Sequence, residues 1–193
     1  MFQMVKKDIS GEKATIIEQI QEIIQFITFK EFSQLIPEVR MNIAGALQNA
    51  KTREEVAGVD GRITIVNGLP KAAGDIKFGA SEHTARLVLT AKQYDPSINF
   101  VMNLKFNPKL IQAIQKNTDL DLKEILREEQ PEEIKQKEFS TMQWLIKECV
   151  DTMGHVPDII WDKGAMGKEP MIRLFAESSR KMIEKLKKII KLI

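Results

Sequence analysis

KFGASEHTARLVLTAKQYDPSINFVMNLKF, residues Lys77–Phe106, passes from a small-residue turn into a helix and then into a strand. Gly79 and Ala80 make a bend, and Ser81 reads as an N-cap. Ala85, Leu87, Val88, Leu89 and Ala91 give the helix a buried face, and Asp95-Pro96 stops it. INFVMNLKF (98–106) then alternates apolar and polar residues as a strand does. The same exchange of periods recurs along the chain. NIAGAL (42–47), RITIV (62–66), PDIIWD (157–162) and MIRLF (171–175) read as strands, and NGLP after RITIV reads as a turn. TREEVA (52–57) reads as a helical turn started by Thr52, and Asn107-Pro108 opens a helix to about Asn117. Ser140 or Thr141 caps another helix running to about Met153, and residues 178–192 form a basic amphipathic one. LKEIL (122–126) fits strand or helix, and REEQPEEIKQKEF (127–139) reads as a solvated charged stretch. Alternating helices and strands predict an α/β fold with helices over a mostly buried sheet.

Residues 12–35 place Ile16, Ile20, Ile23, Ile24, Ile27 and Phe32 at helical spacing, with Pro37 as the stop. The apolar face of this helix needs a partner, either the domain body or another subunit. The expected organisation is an N-terminal amphipathic helix over 1–36, set apart from one globular unit over 37–193.

Composition narrows the function. The net charge is +2 over 193 residues, which gives no global footprint for nucleic acid. No run of 18 or more apolar residues occurs, so no membrane role is expected. One cysteine, Cys149, excludes an intrachain disulfide and suits a reducing cytoplasm, the expected location. Two histidines, without HxH, HExxH or CxxC pairs, argue against a dedicated transition-metal site. Mg²⁺ carried in on a phosphate substrate stays open, because it needs few protein ligands.

Several groups carry two readings each. A helix N-terminus attracts phosphate, so Gly79, Ala80 and Ser81 form either an anion cradle or a plain cap. His83 sits in the first turn, where the macrodipole favours a neutral imidazole able to pass a proton. Arg86 reaches toward the same turn or pairs with Glu82 at i,i+4. Arg62, after a glycine at a strand start, aims a bidentate fork at a diphosphate or blunts a strand edge. Asn103 and Lys105 lie toward a strand end, where α/β folds place ligands. Ser140 and Thr141 offer a second cradle or simple capping. GAMGKE is neither a dinucleotide fingerprint nor a Walker loop. His155, in a Gly-His-Val-Pro turn, reads as structural or solvated.

Taken in order, IPEVRMNIAGAL, VAGVDGRI, KFGASEHTAR, YDPSINFVMNLKF, EFSTMQW and GHVPDIIWDKGAMGKEPMIRLF resemble the archaeal-type thiamine-phosphate synthase domain, the ThiN family. The resemblance spans about residues 12–190, and FGASxHxAR and KGxxGKEPMIR are its specific segments. It implies a three-layer α/β/α sandwich with a mixed sheet, of class II aldolase/adducin type but without that group's metal-binding histidines. It implies transfer of a hydroxymethylpyrimidinyl group from its diphosphate to hydroxyethylthiazole phosphate, releasing diphosphate. Arg62 and His83 match the family's catalytic arginine and histidine. Gly79, Ala80, Ser81, Arg86, Asn103, Lys105, Ser140, Thr141, Asp158, Lys163, Gly164, Gly167, Lys168 and Glu169 are the expected substrate contacts. Mg²⁺ would come with the diphosphate, with no tightly bound cofactor. Expected partners are the two phosphorylated substrates, a second copy in a homodimer, and a pyrimidine kinase fused in a longer protein. A non-catalytic thiamine-phosphate sensor is the alternative.

Overall fold

The computed structural model describes residues 2–136 and 140–193, so Met1 and the end of the charged stretch, 137–139, lie outside it. In chain order the elements are α1 (Phe2–Ile27), β1 (Ile43–Ala46), β2 (Val56–Val59), β3 (Ile63–Val66), β4 (Leu69–Ala72) and β5 (Ile76–Phe78). Then come α2 (His83–Tyr94), β6 (Phe100–Lys105), α3 (Pro108–Asn117), β7 (Leu122–Glu124) and α4 (Glu132–Gln136). α5 (Thr141–Met153), β8 (Ile159–Asp162), β9 (Met171–Ala176) and α6 (Ser179–Ile190) complete the chain.

Seven strands form one mixed sheet in the order β5-β2-β1-β6-β9-β8-β7. Its pairs are antiparallel except β7 with β8. α1 and α6 pack together on one face, with α3 against α6, while α2 and α5 cover the other. The result is a three-layer α/β/α sandwich. β3 and β4 stand outside the sheet as a hairpin, joined to the body through a Met41–Ile63 bridge.

Ile16, Ile20, Ile23 and Ile27 of α1 belong to the same buried core as the sheet, so this face finds its partner within the chain. The contact needs a small residue below it. A Cβ on Gly45 of β1 would lie 2.8 Å from Phe100 and 3.0 Å from Ile16, so only glycine lets the layers meet.

Several expected boundaries move. α1 begins well before residue 12 and ends at Ile27, not at Pro37; a 3-10 turn over Glu31–Leu35 follows. The break lets Phe29 pack edge-on against Phe32, at 5.8 Å between ring centres, while Phe32 and Leu35 enter the core. TREEVA is only a 3-10 turn, held by a Thr52–Glu55 capping box, before β2 begins at Val56. The charged stretch is not wholly solvated: Arg127 and Gln130 are buried.

Candidate functional site

The cleft opens where β2, β6 and β8 end and β1 and β9 begin, under the N-termini of α2 and α5. It has a lobe of about 650 Å³ and a second of about 510 Å³. His83, Met142, Met171 and Arg173 line both, so the lobes meet there.

The first lobe is built around a backbone device. Met41 and Ile63 exchange backbone hydrogen bonds at 3.0 and 2.7 Å. The residues just before them, Arg40 (φ 70°) and Arg62 (φ 71°), are both left-handed. Such a conformation costs a non-glycine residue about 1–2 kcal/mol, and it is tolerated where surrounding structure enforces it. Here it sends both arginines into one lobe. Arg62 Nη1 donates to the Val39 carbonyl at 2.5 Å. Asn103 accepts from the Asn42 N–H at 2.7 Å and donates to the Arg40 carbonyl at 3.1 Å. Asn42 is tied in turn to both backbone groups of Val59, at 3.0 and 3.1 Å. Asn103 and Asn42 therefore fix the strand ends that carry the two arginines.

Glu169 reinforces this wall from the far side of the chain. Its two carboxylate oxygens accept the Glu38 and Val39 N–H groups, each at 2.9 Å. The carbonyl of Val39 is the one that holds Arg62. The loop before β9 is thus coupled to the Arg62 guanidinium through two residues.

α2 starts at His83 without a side-chain cap. Ser81 is not the N-cap expected from sequence; its hydroxyl pairs with that of Thr84. Ala80, Ser81, His83 and Thr84 line the first lobe, opposite Arg62. Arg86 faces the second lobe and pairs with Glu82 at 2.8 Å. Arg86 accordingly holds helix and cleft at once.

Beneath the second lobe lies a buried charge cluster. Asp162 is fully buried and accepts from Arg173 Nη1 at 2.7 Å and Arg127 Nη2 at 3.0 Å through one oxygen. Its other oxygen accepts the Gly164 N–H at 2.8 Å. Burial pushes the Asp162 pKa up, but Arg173 and Arg127 outweigh it and hold the carboxyl below the usual range. Thr141, Lys168 and Glu169 complete this lobe.

Other expected contacts fall outside both lobes. Gly79 lies in the turn before α2, its N–H on the Val56 carbonyl at 2.9 Å. Lys105 is exposed at the end of β6. Ser140 is buried with its hydroxyl donating to the Ile134 carbonyl at 2.7 Å, so Thr141 and not Ser140 reaches the cleft from the start of α5. Lys163 points away to Glu124 at 2.8 Å. Gly164 and Gly167 shape the loop, and a Cβ on Gly164 would lie 2.3 Å from the Lys168 carbonyl. Asp158 sits at the opposite end of β8, pairing with Lys185 at 2.5 Å. Near it His155 donates to Asp121 at 2.5 Å and to the Met153 carbonyl at 3.1 Å. The Asp121 contact raises the His155 pKa above its ordinary value.

The sequence reading missed Arg40, Asn42, Arg127, Asp162 and Arg173. A signal existed for two of them: Asp162 and Arg173 are charges inside runs otherwise read as buried strands. Among the described residues, no three His, Cys, Asp or Glu side chains are grouped to hold a metal ion. Among them, too, no helix is long and apolar enough to cross a membrane.

The α/β/α sandwich carries at its strand ends a cleft lined by arginines, whose charge complements anionic groups. Residues 19–188 match the family of the thiamine-phosphate synthase ThiN, and the chain belongs to that family. It is 37% identical over 182 residues to the bifunctional thiamine biosynthesis protein ThiDN of Methanocaldococcus jannaschii, covering 93% of this chain and 42% of that protein. It is 33% identical over 176 residues to the thiamine-phosphate synthase ThiN of Methanothermobacter thermautotrophicus, covering 91% and 92%. The solved C-terminal domain of a phosphomethylpyrimidine kinase superposes with a TM-score of 0.83 at 35% identity, over 94% of this chain and 100% of that one.

Proposed function

We propose that this transferase of the thiamine-phosphate synthase family joins hydroxymethylpyrimidine diphosphate to hydroxyethylthiazole phosphate. The thiazole nitrogen forms a bond to the pyrimidine methylene, and the methylene–oxygen bond breaks. The electron pair leaves with diphosphate. The observation that carries this reading is the meeting of Arg62 and His83, residues distant in sequence, on two walls of one lobe.

The chemistry asks for cations placed in advance where charge develops. Arg40 and Arg62, fixed by their backbone, receive the leaving diphosphate. His83 stands where the lobes meet and holds or deprotonates the pyrimidine amino group, aiding ionisation, or protonates the departing oxygen. Met142 and Met171 at the same point give an apolar floor that keeps water from an electron-poor methylene. Mg²⁺ borne by the diphosphate belongs to this proposal, and a chelator then lowers turnover without changing the melting temperature. A phosphomethylpyrimidine kinase domain is the proposed companion, because the superposed structure is part of one.

The test is release of diphosphate by the purified chain. Release only with both precursors present supports the synthase. Tight binding of thiamine phosphate without any release would instead establish a sensor.

A further inference from the structure

We propose that Arg127 and Arg173, bridged by Asp162, form the receptor for the phosphate monoester of the thiazole substrate. The assignment rests on the synthase reading above. It names which end of the cleft takes the second substrate.

Charge within the cluster does not balance. Two guanidinium groups, with side chains 7% and 5% exposed, share one oxygen of one fully buried carboxylate. The remaining oxygen is held by Gly164. Arg127 Nε and Nη1 are buried and have no hydrogen-bond partner. An unmatched buried guanidinium is costly, and a cluster built only for stability would pair its charges. The excess positive charge lies against the second lobe, which both arginines line. Lys168 lines it as well, and among the described residues its ammonium makes no ion pair. Thr141 adds the N-terminus of the thirteen-residue α5, which favours an anion at the same place.

The reaction separates the two phosphate groups. In this proposal the attacking nitrogen approaches the methylene from the side away from the departing diphosphate. With the diphosphate at Arg40 and Arg62, the thiazole enters from the other lobe and carries its phosphate outward. Arg127 faces that lobe alone, whereas Arg62 faces only the first. The net positive charge of the cluster, with Lys168 beside it, suits a phosphate monoester.

The experiment is titration calorimetry of the whole chain with hydroxyethylthiazole phosphate, its unphosphorylated alcohol, and hydroxymethylpyrimidine diphosphate. The wild type should prefer the phosphorylated thiazole to the alcohol. Arg127→Met leaves a one-to-one Asp162–Arg173 pair, so the fold should persist, as checked by its melting temperature. Losing charge-assisted hydrogen bonds should weaken thiazole phosphate binding about 10- to 100-fold. The alcohol and the pyrimidine diphosphate should each change less than about threefold. Arg127→Lys keeps the charge without the guanidinium and should fall between; it decides the matter if the methionine variant does not fold. Undiminished thiazole phosphate binding in these variants overturns the proposal, as does a loss confined to the pyrimidine diphosphate. A wild type that does not distinguish thiazole phosphate from the alcohol overturns it too. The synthase reading fails separately, by absence of diphosphate release from the wild type, while the binding titrations still decide the subsite.

Discussion

Asp162→Asn isolates the electrostatics beneath the cleft. The substitution keeps the shape and removes the charge that Arg127 and Arg173 share at 3.0 and 2.7 Å. The amide can still accept the Gly164 N–H through its oxygen, but it then turns an NH₂ group toward two guanidinium donors. Breaking a buried pair by removing one partner costs about 3–5 kcal/mol. For a chain of this size each kcal/mol moves the melting temperature by about 2–4 °C, so the variant should melt about 6–20 °C below the wild type. Differential scanning calorimetry at pH 7 reads this directly. The pH dependence supplies a second check. The Asp162 carboxyl titrates below its ordinary value in the folded state, because the two arginines outweigh burial. Its contribution is present above the unfolded value of about 3.9 and is lost as the pH falls through the folded one. The gap between wild type and variant should therefore close on acidification below about pH 4. Adding Arg127→Met to Asp162→Asn removes one orphaned cation and should recover part of the loss. A shift under about 3 °C at pH 7, or a gap that widens in acid, would refute the reasoning.

Three further outcomes follow from the site and the core. Arg62→Ala should cut turnover about 10²–10³-fold while the circular dichroism spectrum stays native, since the lost group is a preorganised donor on an exposed turn; a near-normal rate would remove Arg62 from the leaving-group site. Cys149 is buried, and burial pushes its thiol pKa up to about 12, so a disulfide reagent should label it only after denaturation. His155 should titrate above the ordinary histidine value in NMR spectra, and Asp121→Asn should bring it down; the small stability from this pair is present below the unfolded histidine pKa and lost as the pH rises through the folded one.

Periodicity located the longer elements well. α2, β6, α3, β9 and α6 carry enough repeats of 3.6 or 2 to declare themselves, and Asn107-Pro108 marks its helix start chemically. β2, β4 and β5 did not, because three or four residues such as VAGV or IKF are too short to show a period. Their pairing is set by neighbours elsewhere in the chain. The end of α1 shows the same limit: the isoleucine spacing continues toward Phe32, yet packing breaks the helix at Ile27.

For the site, the order of motifs placed Arg62, His83, Lys168 and Glu169 among the candidates. That is local chemistry, and residue type and neighbours carry it. Which candidates converge is a property of the sheet register. β8 sends Asp158 to one end and Asp162 to the other, so two aspartates of one short segment serve opposite ends of the molecule. Arg127, within a run of glutamates, becomes a buried cation only because β7 lies parallel to β8 and brings it to Asp162. The chain's letters determined the longer elements, the family and the kinds of group available. Tertiary structure alone decided which charges are withdrawn from water and left to face one another, because burial and distance are set by pairings between residues far apart in sequence.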